Sequence, residues 1–467
     1  MRGKMVSALL SSLAFVAGTL FAEDAIPAET RVAIDKAVGE VLAKTGAPSA
    51  SIAIVKDGKI AYVHAYGSAR LGPPAALAAP AMRYSIGSVS KQFTSTAVLL
   101  LAEDGKLSLD DRLVRWLPEL TRAGDVTIRQ LLSMTAGYQD FWPQDYVMPR
   151  MKEPVTAREI VDGWARKPLD FSPGTKWQYS NTNYVIAGLI VEKASGMPLL
   201  DLLEKRVFGP LGMTTVVNTD ATPLGPEDAA GYQRFALGPP RPAPKEGKGW
   251  LFAAGELSMT AEDLARWDIS LIDQTVMRPA SYRELETDVR LESGVGSRYG
   301  LGVGFDLVDG RRLVSHSGEI SGFTARNDVY PDERAAVVVL VNLDATEATT
   351  DIAKKIGNSL FATSDGGPNQ AVEQAKRIFE GLRLGKLDRA LFTSNANAYF
   401  SEQAVKDFAA SLGPLGKLQE FTQKSRSLRG GMTLRRLTAK FAKKTLGVTT
   451  LEMPDGKLEQ FMVAAEE

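Results

Sequence analysis

The chain of 467 residues contains no cysteine and only two histidines. The missing thiols exclude disulfides, zinc fingers, thiolate clusters and a cysteine nucleophile. His64 and His316 lie far apart and form no HExxH or HxH pair, which excludes a histidine-rich metal site. No charge of one sign dominates, since 55 Lys and Arg balance 55 Asp and Glu, so the whole chain makes no case for nucleic acid as a partner. GxSxG is absent, which argues against an α/β-hydrolase nucleophile elbow. Gly300-x-Gly-x-Gly304 lacks the GxGxxG form of a dinucleotide site and reads as a strand turn. With 44% hydrophobic and 24% charged residues the composition is that of a globular protein, and the length calls for two or three domains. What remains is an enzyme or binding protein that works with hydroxyls, amines and carboxylates, with no metal and no cofactor.

Long apolar runs are scarce as well. One spans residues 5–21, preceded by Arg2 and Lys4 and followed by Ala22, Glu23 and Asp24. A basic start, a short apolar core and a small residue before polar sequence describe a secretory signal peptide. Residues 1–22 are therefore expected to be removed, and the mature protein to be periplasmic or secreted; an uncleaved N-terminal anchor is the other reading. No later stretch reaches the ~20 apolar residues of a membrane span.

Residues 51–55 and 59–66 are apolar, alternating runs separated by Asp57-Gly58, a hairpin signal. Residues 71–82 read as a loop. Residues 88–103 have helical periodicity with Phe93, Ala97, Leu100 and Leu101 on one stripe. Further helices are expected over 156–164, 184–194 and 261–271, and strands over 312–317, 323–330 and 335–343, closed by a helix over 345–360. Residues 139–154, with Phe141, Trp142 and Tyr146, read as an ordered loop, and 238–249 as a surface excursion. A strand hairpin first, helices in the middle and strands last predicts an α+β domain over 23–362 whose sheet unites both ends of the segment. A linker is expected over 363–370. Beyond it, helices over 371–384 and 402–412 and strands near 418–428, 432–441, 446–451 and 457–463 predict a small α+β domain over 371–467.

Three clusters carry chemistry. Ser88 is the only serine with a lysine three residues on, Lys91, and the pair opens the helix of 88–103. That spacing places the ammonium one turn from the hydroxyl on the same face. An adjacent amine and a helix N-terminus are what a serine needs to act as a nucleophile. Alone, SxxK is a weak pattern. Tyr179-Ser180-Asn181 precedes a predicted helix and by itself reads as a cap. Ser315-His316-Ser317-Gly318-Glu319 ends a strand, where Gly318 lets a substrate approach the backbone closely. His64, in a strand without a partner motif, reads as structural.

SxxK, then Tyr-x-Asn, then a strand ending in His/Lys-x-Gly is the order found in serine β-lactamases and penicillin-binding proteins. The chain resembles the class C β-lactamase-related serine hydrolases, a family that includes D,D-carboxypeptidases, D-amino-acid peptidases and esterases, over roughly residues 31–361. Residues 131–132, 171–174, 255–267 and Tyr299-Gly300-Leu301-Gly302 agree as well. The resemblance implies a serine β-lactamase/transpeptidase-like fold, an antiparallel sheet flanked by helices with a mainly helical subdomain. It implies Ser88 as the acylated nucleophile, and Lys91 and Tyr179 as the proton-transfer groups, with either as the formal base. Asn181, His316, Ser317 and Gly318 are implied as substrate-binding, and the backbone N–H groups of Ser88 and Glu319 as the oxyanion hole.

Two positions depart from the family. Where β-lactamases have Lys-Thr-Gly this chain has His316-Ser317-Gly318, so efficient β-lactam hydrolysis is in doubt and esters or D-peptides gain ground. Met134-Thr135-Ala136-Gly137 stands where His-Thr-Ser-Gly is frequent. The C-terminal module resembles small NTF2-like domains. It carries a net charge of +5 over 366–467 against −7 over 23–365, and its Arg and Lys residues read as a solvated strand face or a dock for the acidic domain. The expectation is an exported serine hydrolase acting through an acyl-enzyme on D-peptides, β-lactams or small esters, with cell-wall peptidoglycan among its possible partners. The alternative is an idle penicillin-binding-like domain that senses wall peptides.

Overall fold

The computed structural model describes residues 26–144, 146–361 and 368–465. The expected signal segment, 1–22, lies outside the described residues, as do 363–367 of the expected linker. The remaining linker positions belong to a helix, Pro368–Arg383. A proline is tolerated in a first helical turn because the N–H it lacks has no intrahelical partner there.

The architecture is α+β. Seven strands form an antiparallel sheet in the order Ala76–Leu77, Lys59–Arg70, Ser49–Lys56, Ala335–Val341, Phe323–Tyr330, Arg311–Ile320, Gly304–Val308. The first hairpin turns on Asp57 and Gly58, both left-handed at φ 54° and 74°, the conformation that matches the twist of paired strands. The two central strands come from opposite ends of the domain and pair in register from Ala50↔Val341 to Val55↔Ala336. They read as continuous apolar runs because both faces are covered. Ile52, Ile54, Val337 and Val339 pack on helices Ala28–Thr45 and Ala348–Leu360, while Ala53, Val55, Val338 and Leu340 face the helical layer that holds the site. The helix Ala28–Thr45 is absent from the sequence-based expectation. Its buried stripe is Ile34, Val38 and Val41, too sparse among alanines to stand out as periodicity.

The helix Ser90–Glu103 also departs from its expected amphipathic form. Every residue from Ser90 to Leu101 is buried, Lys91 included. A helix buried on all sides is a core helix even though this one carries Lys91, Gln92 and several hydroxyls, so the sequence stripe understates how deeply it lies. Phe93 anchors it, with ring centroids 5.3 Å from Phe208 and 4.8 Å from Trp267.

The C-terminal module is a four-stranded antiparallel meander, Glu420–Arg429, Met432–Lys440, Thr445–Glu452 and Leu458–Ala465. Phe379, Phe400, Leu437 and Phe461 form its own core with helices Pro368–Arg383 and Glu402–Leu412. Among the described residues no helix is long and apolar enough to cross a membrane.

Phe93→Ala should cost about 3–5 kcal/mol, the range for emptying a packed aromatic site. The measurement is the thermal midpoint of unfolding, and an unchanged midpoint would contradict the anchoring role.

Candidate active site

Ser88 sits in a tight turn, Gly87–Val89, that runs directly into the helix Ser90–Glu103. Lys91 follows one turn later, and its Nζ donates to Ser88 Oγ at 2.9 Å. The same nitrogen donates to Asn181 Oδ1 at 2.8 Å and to the Ala254 carbonyl at 2.7 Å. Tyr179 borders the same cavity as Ser88, and Lys91 Nζ lies 5.0 Å from the Tyr179 ring centroid. Two of the three sequence clusters are thus joined around one buried amine. Burial pushes the Lys91 ammonium down to about 7, with the charge of Asp140 pulling the other way. Burial pushes the Tyr179 phenol up, so it stays protonated at neutral pH.

Asn181 is the first residue of the helix Asn181–Ser195. The helix begins three residues earlier than its sequence pattern, so the expected cap segment lies partly within it. Its amide is oriented by Asp140, whose Oδ2 accepts from Asn181 Nδ2 at 3.3 Å while Oδ1 accepts from the Asn181 backbone N–H at 3.0 Å. The amide oxygen therefore faces Lys91, and one side-chain N–H is left for a substrate.

The third cluster lies on the strand Arg311–Ile320. Gly318 is required there by close approach, since a Cβ would fall 1.9 Å from the Ile86 carbonyl and 3.1 Å from Ser88 N. A Cβ on Gly87 would fall 2.8 Å from Glu319 N. The backbones of Gly87-Ser88 and Gly318-Glu319 are in contact, which brings the two expected oxyanion amides to one place. Pairing with Gly304–Val308 stops at Ser315↔Gly304, so the strand beyond is an edge on the side where Ser88 lies. His316 lines the cavity but offers it no nitrogen: Nδ1 contacts the Ser317 carbonyl at 2.5 Å and Nε2 the Tyr299 hydroxyl at 2.8 Å. This changes what the sequence reading expected of it.

Ser88, Tyr179, Asn181, His316, Ser317 and Glu319 border one cavity of about 530 Å³. Phe141, Trp142 and Tyr146 from the loop after Gly137, together with Trp250, form an aromatic wall. Asp140, Glu319 and Asp344 line it too, and among the described residues no Lys or Arg does. His64 stays apart on the strand Lys59–Arg70, flanked by Tyr62 and Tyr66. Asp140, Ala254 and Asp344 were not legible beforehand. Tyr299 stood within a noted pattern but carried no role. A buried acid in a loop or a single backbone carbonyl leaves no periodicity or spacing to read.

The Beta-lactamase family matches residues 34–357. A penicillin-binding protein of Bacillus subtilis (strain 168) is 28% identical over 370 residues, 76% of this chain and 80% of that protein. A D-aminopeptidase of Brucella anthropi is 31% identical over 314 residues, 67% of this chain; the match spans only 59% of that protein's length. Among solved structures, the D-amino acid amidase from Ochrobactrum anthropi SV3 complexed with L-phenylalanine amide aligns with a TM-score of 0.63 at 25% identity, over 71% of this chain and 99% of that one. The octameric penicillin-binding protein homologue from Pyrococcus abyssi aligns over 93% of this chain and 96% of that one, with a TM-score of 0.63 at 20% identity, a likeness of fold.

Gly318→Ala should force the strand away from the Ser88 turn. Labelling of Ser88 by a fluorophosphonate is expected to slow at least about a hundredfold, the range for losing one oxyanion donor. A folded variant labelled at the parent rate would refute the contact.

Proposed function

Because the chain belongs to the Beta-lactamase family and is a serine hydrolase, we propose that it cleaves D-amino-acid amides and short D-peptides bearing a free α-ammonium group, through an acyl-enzyme on Ser88. The observation that carries the chemistry is the hydrogen-bond count at Lys91. Two of its three partners, Asn181 Oδ1 and the Ala254 carbonyl, can only accept. A neutral amine has two hydrogens, which these acceptors take, so its lone pair is left aimed at the Ser88 hydroxyl 2.9 Å away. In this reading Ser88 Oγ attacks the carbonyl carbon as its proton passes to Lys91. The oxyanion is held by the N–H groups of Ser88 and Glu319. The Tyr179 phenol gives its proton to the leaving amine and is resupplied by the Lys91 ammonium, and water then releases the acyl group by the reverse sequence. Lys91 and Tyr179 titrate as a pair in such a site.

The charge of the cavity supports the substrate class. Three lining carboxylates and no described Lys or Arg favour a substrate with an ammonium and disfavour the carboxylate of a penicillin or of a C-terminal D-alanine. The D-aminopeptidase and D-amino acid amidase among the relatives agree with this choice. An idle wall-peptide sensor would have no need of the Ser88–Lys91 bond. The proposal includes export by residues 1–22, supported by Arg2 and Lys4 ahead of the apolar run, which N-terminal sequencing of the mature protein checks.

Intact-mass measurement after a fluorophosphonate should show one adduct that Ser88→Ala abolishes, and D-phenylalaninamide should be hydrolysed at least about tenfold faster in kcat/KM than D-alanyl-D-alanine or nitrocefin. No adduct on folded protein, or a preference for the carboxylate-bearing substrates, would sink the proposal. The pH profile follows from Lys91. Below about 7 its third proton occupies the lone pair, so kcat/KM should rise roughly tenfold per pH unit up to that point and level above it. A profile flat from pH 5.5 to 8.5 is the contrary outcome (roughly the span of one buffered titration).

A further inference from the structure

Asp140 lies in the loop that follows Gly137, and both of its neighbours are tied to the next helix by one side chain. Thr182 Oγ1 donates to the Gln139 carbonyl at 2.7 Å and accepts from the Phe141 N–H at 3.1 Å. The carboxylate is held by main chain as well: Oδ1 accepts from the N–H groups of Trp142 at 3.2 Å and Asn181 at 3.0 Å. Ser180, at the cap of the helix Asn181–Ser195, makes no side-chain cap bond, so Asp140 serves that helix end from outside. Two strict donors on Oδ1 fix the plane of the carboxylate and turn Oδ2 toward the Asn181 side chain, 3.3 Å away. A carboxylate oxygen can only accept, so the amide presents Nδ2 to Asp140 and Oδ1 to Lys91, at 2.8 Å. Among the described residues the amide has no other hydrogen-bond partner. Burial raises the Asp140 carboxyl, while the N–H groups of Trp142 and Asn181 and the charge of Lys91 act against it. Each group bonded to it donates, which is the pattern of the ionised form.

We propose that Asp140 is a positioning residue for acyl transfer: by fixing which end of the Asn181 amide meets Lys91, it aims the lone pair of the neutral amine at Ser88. The proposal rests on the hydrolytic reading above, in which Lys91 accepts the Ser88 proton. With Asn181 Oδ1 and the Ala254 carbonyl taking its two hydrogens, a neutral Lys91 can only accept from Ser88. With the amide reversed, Asn181 Nδ2 would donate to that lone pair, and Lys91 would spend its hydrogens on Ala254 and Ser88 Oγ. The amine would be present and uncharged, yet the hydroxyl would keep its proton. Asp140→Asn produces this reversal at nearly constant volume. Its Oδ1 keeps the two main-chain N–H groups, so its new Nδ2 faces Asn181, and the contact of two NH2 groups is relieved by turning Asn181 over. Asp140 also lines the cavity, where a substrate ammonium could meet it, and its charge acts on Lys91 from a distance. These three roles separate by experiment.

Labelling of Ser88 by an uncharged fluorophosphonate needs the lone pair of Lys91 but no ammonium contact, so it reads the positioning alone. In full-length Asp140→Asn, shown to fold by its thermal midpoint, the labelling rate at about pH 8.5 should fall at least about tenfold, within what a general base contributes. For D-phenylalaninamide kcat should fall by a similar factor while KM changes less than about threefold. The exchanged pair, Asp140→Asn with Asn181→Asp, returns a strict acceptor to Lys91, now a carboxylate that favours the ammonium. Its labelling should recover at least about fivefold over Asp140→Asn above about pH 9, with an acid limb at least about one pH unit above the parent's. A single variant that fails to fold where the exchanged pair folds supports the same complementarity. A folded Asp140→Asn that labels at the parent rate on the alkaline plateau, with only its acid limb moved, assigns Asp140 a charge effect and overturns the proposal. So does unchanged labelling with a raised KM for the amide, the signature of an ammonium contact, and so does an exchanged pair no faster than the single variant. A parent that takes no label overturns the reading of Ser88 as nucleophile instead. A parent that is labelled but spares amides overturns the substrate class, and the labelling rates still decide the role of Asp140.

Discussion

An amine with no exposed surface and, among the described residues, no carboxylate in contact is the constraint on which the site depends. Lys91 lies in a helix buried from Ser90 to Leu101, and an ammonium in such a place is costly unless neutralised or paired. The protein answers with two carbonyl oxygens and a hydroxyl, and leaves Asp140 at one remove behind Asn181. That arrangement holds the amine near its neutral form without removing it from hydrogen bonding. A carboxylate in direct contact would have stabilised the ammonium and taken away the lone pair that Ser88 needs.

Other elements can be understood by what they supply to that nitrogen. Ala254 belongs to a turn in which Ala253 is held in a left-handed conformation at φ 56°. Glu256 Oε1 accepts from Ala253 N–H at 3.0 Å, and the Ala253 carbonyl accepts from Thr94 Oγ1 at 2.7 Å. A strained residue persists only where its surroundings over-determine it, and here they do. Gly188 on the facing helix is part of the reason, since a Cβ there would fall 2.5 Å from Ala253 Cβ. On the opposite side, Gly87 and Gly318 let two backbones meet at a distance no side chain would allow. The same economy extends to His316, whose two nitrogens are satisfied internally, so the strand edge presents main chain and Ser317 to the cavity.

Most of the scaffold was legible in the residue pattern. The hairpin at Asp57-Gly58, the strand Phe323–Tyr330, the helix Glu402–Leu412 and the C-terminal meander stand within a few residues of their expected bounds. Each has alternating or helical periodicity closed by a turn residue or cap, which is local information. The helix Ala28–Thr45 was missed because its stripe is short and diluted, and it owes its place to packing on Ile52, Ile54, Val337 and Val339. The helix Ser90–Glu103 was recognised but its burial was not, since a stripe describes one face and its other faces are filled by the fold.

Of the candidate site, the residue types and their order were readable from the sequence by itself: Ser88 and Lys91 on one helical face, Tyr179 and Asn181, then His316 through Glu319 at a strand end. Absence did much of that work, because without cysteine and with two separated histidines a serine and an amine were the chemistry left. Only the tertiary structure decided protonation and orientation. Whether a lysine is a base or a counter-ion depends on burial and on how many strict acceptors surround it, and those come from Asn181 and Ala254, 90 and 163 residues away. Whether a histidine is a cation depends on burial and on the charges folded against it, and His316 is buried with Lys91 and Arg326 beside it. Spacing along a chain sets which groups share an element; the dielectric surroundings and hydrogen-bond partners that tune them are assembled only by folding.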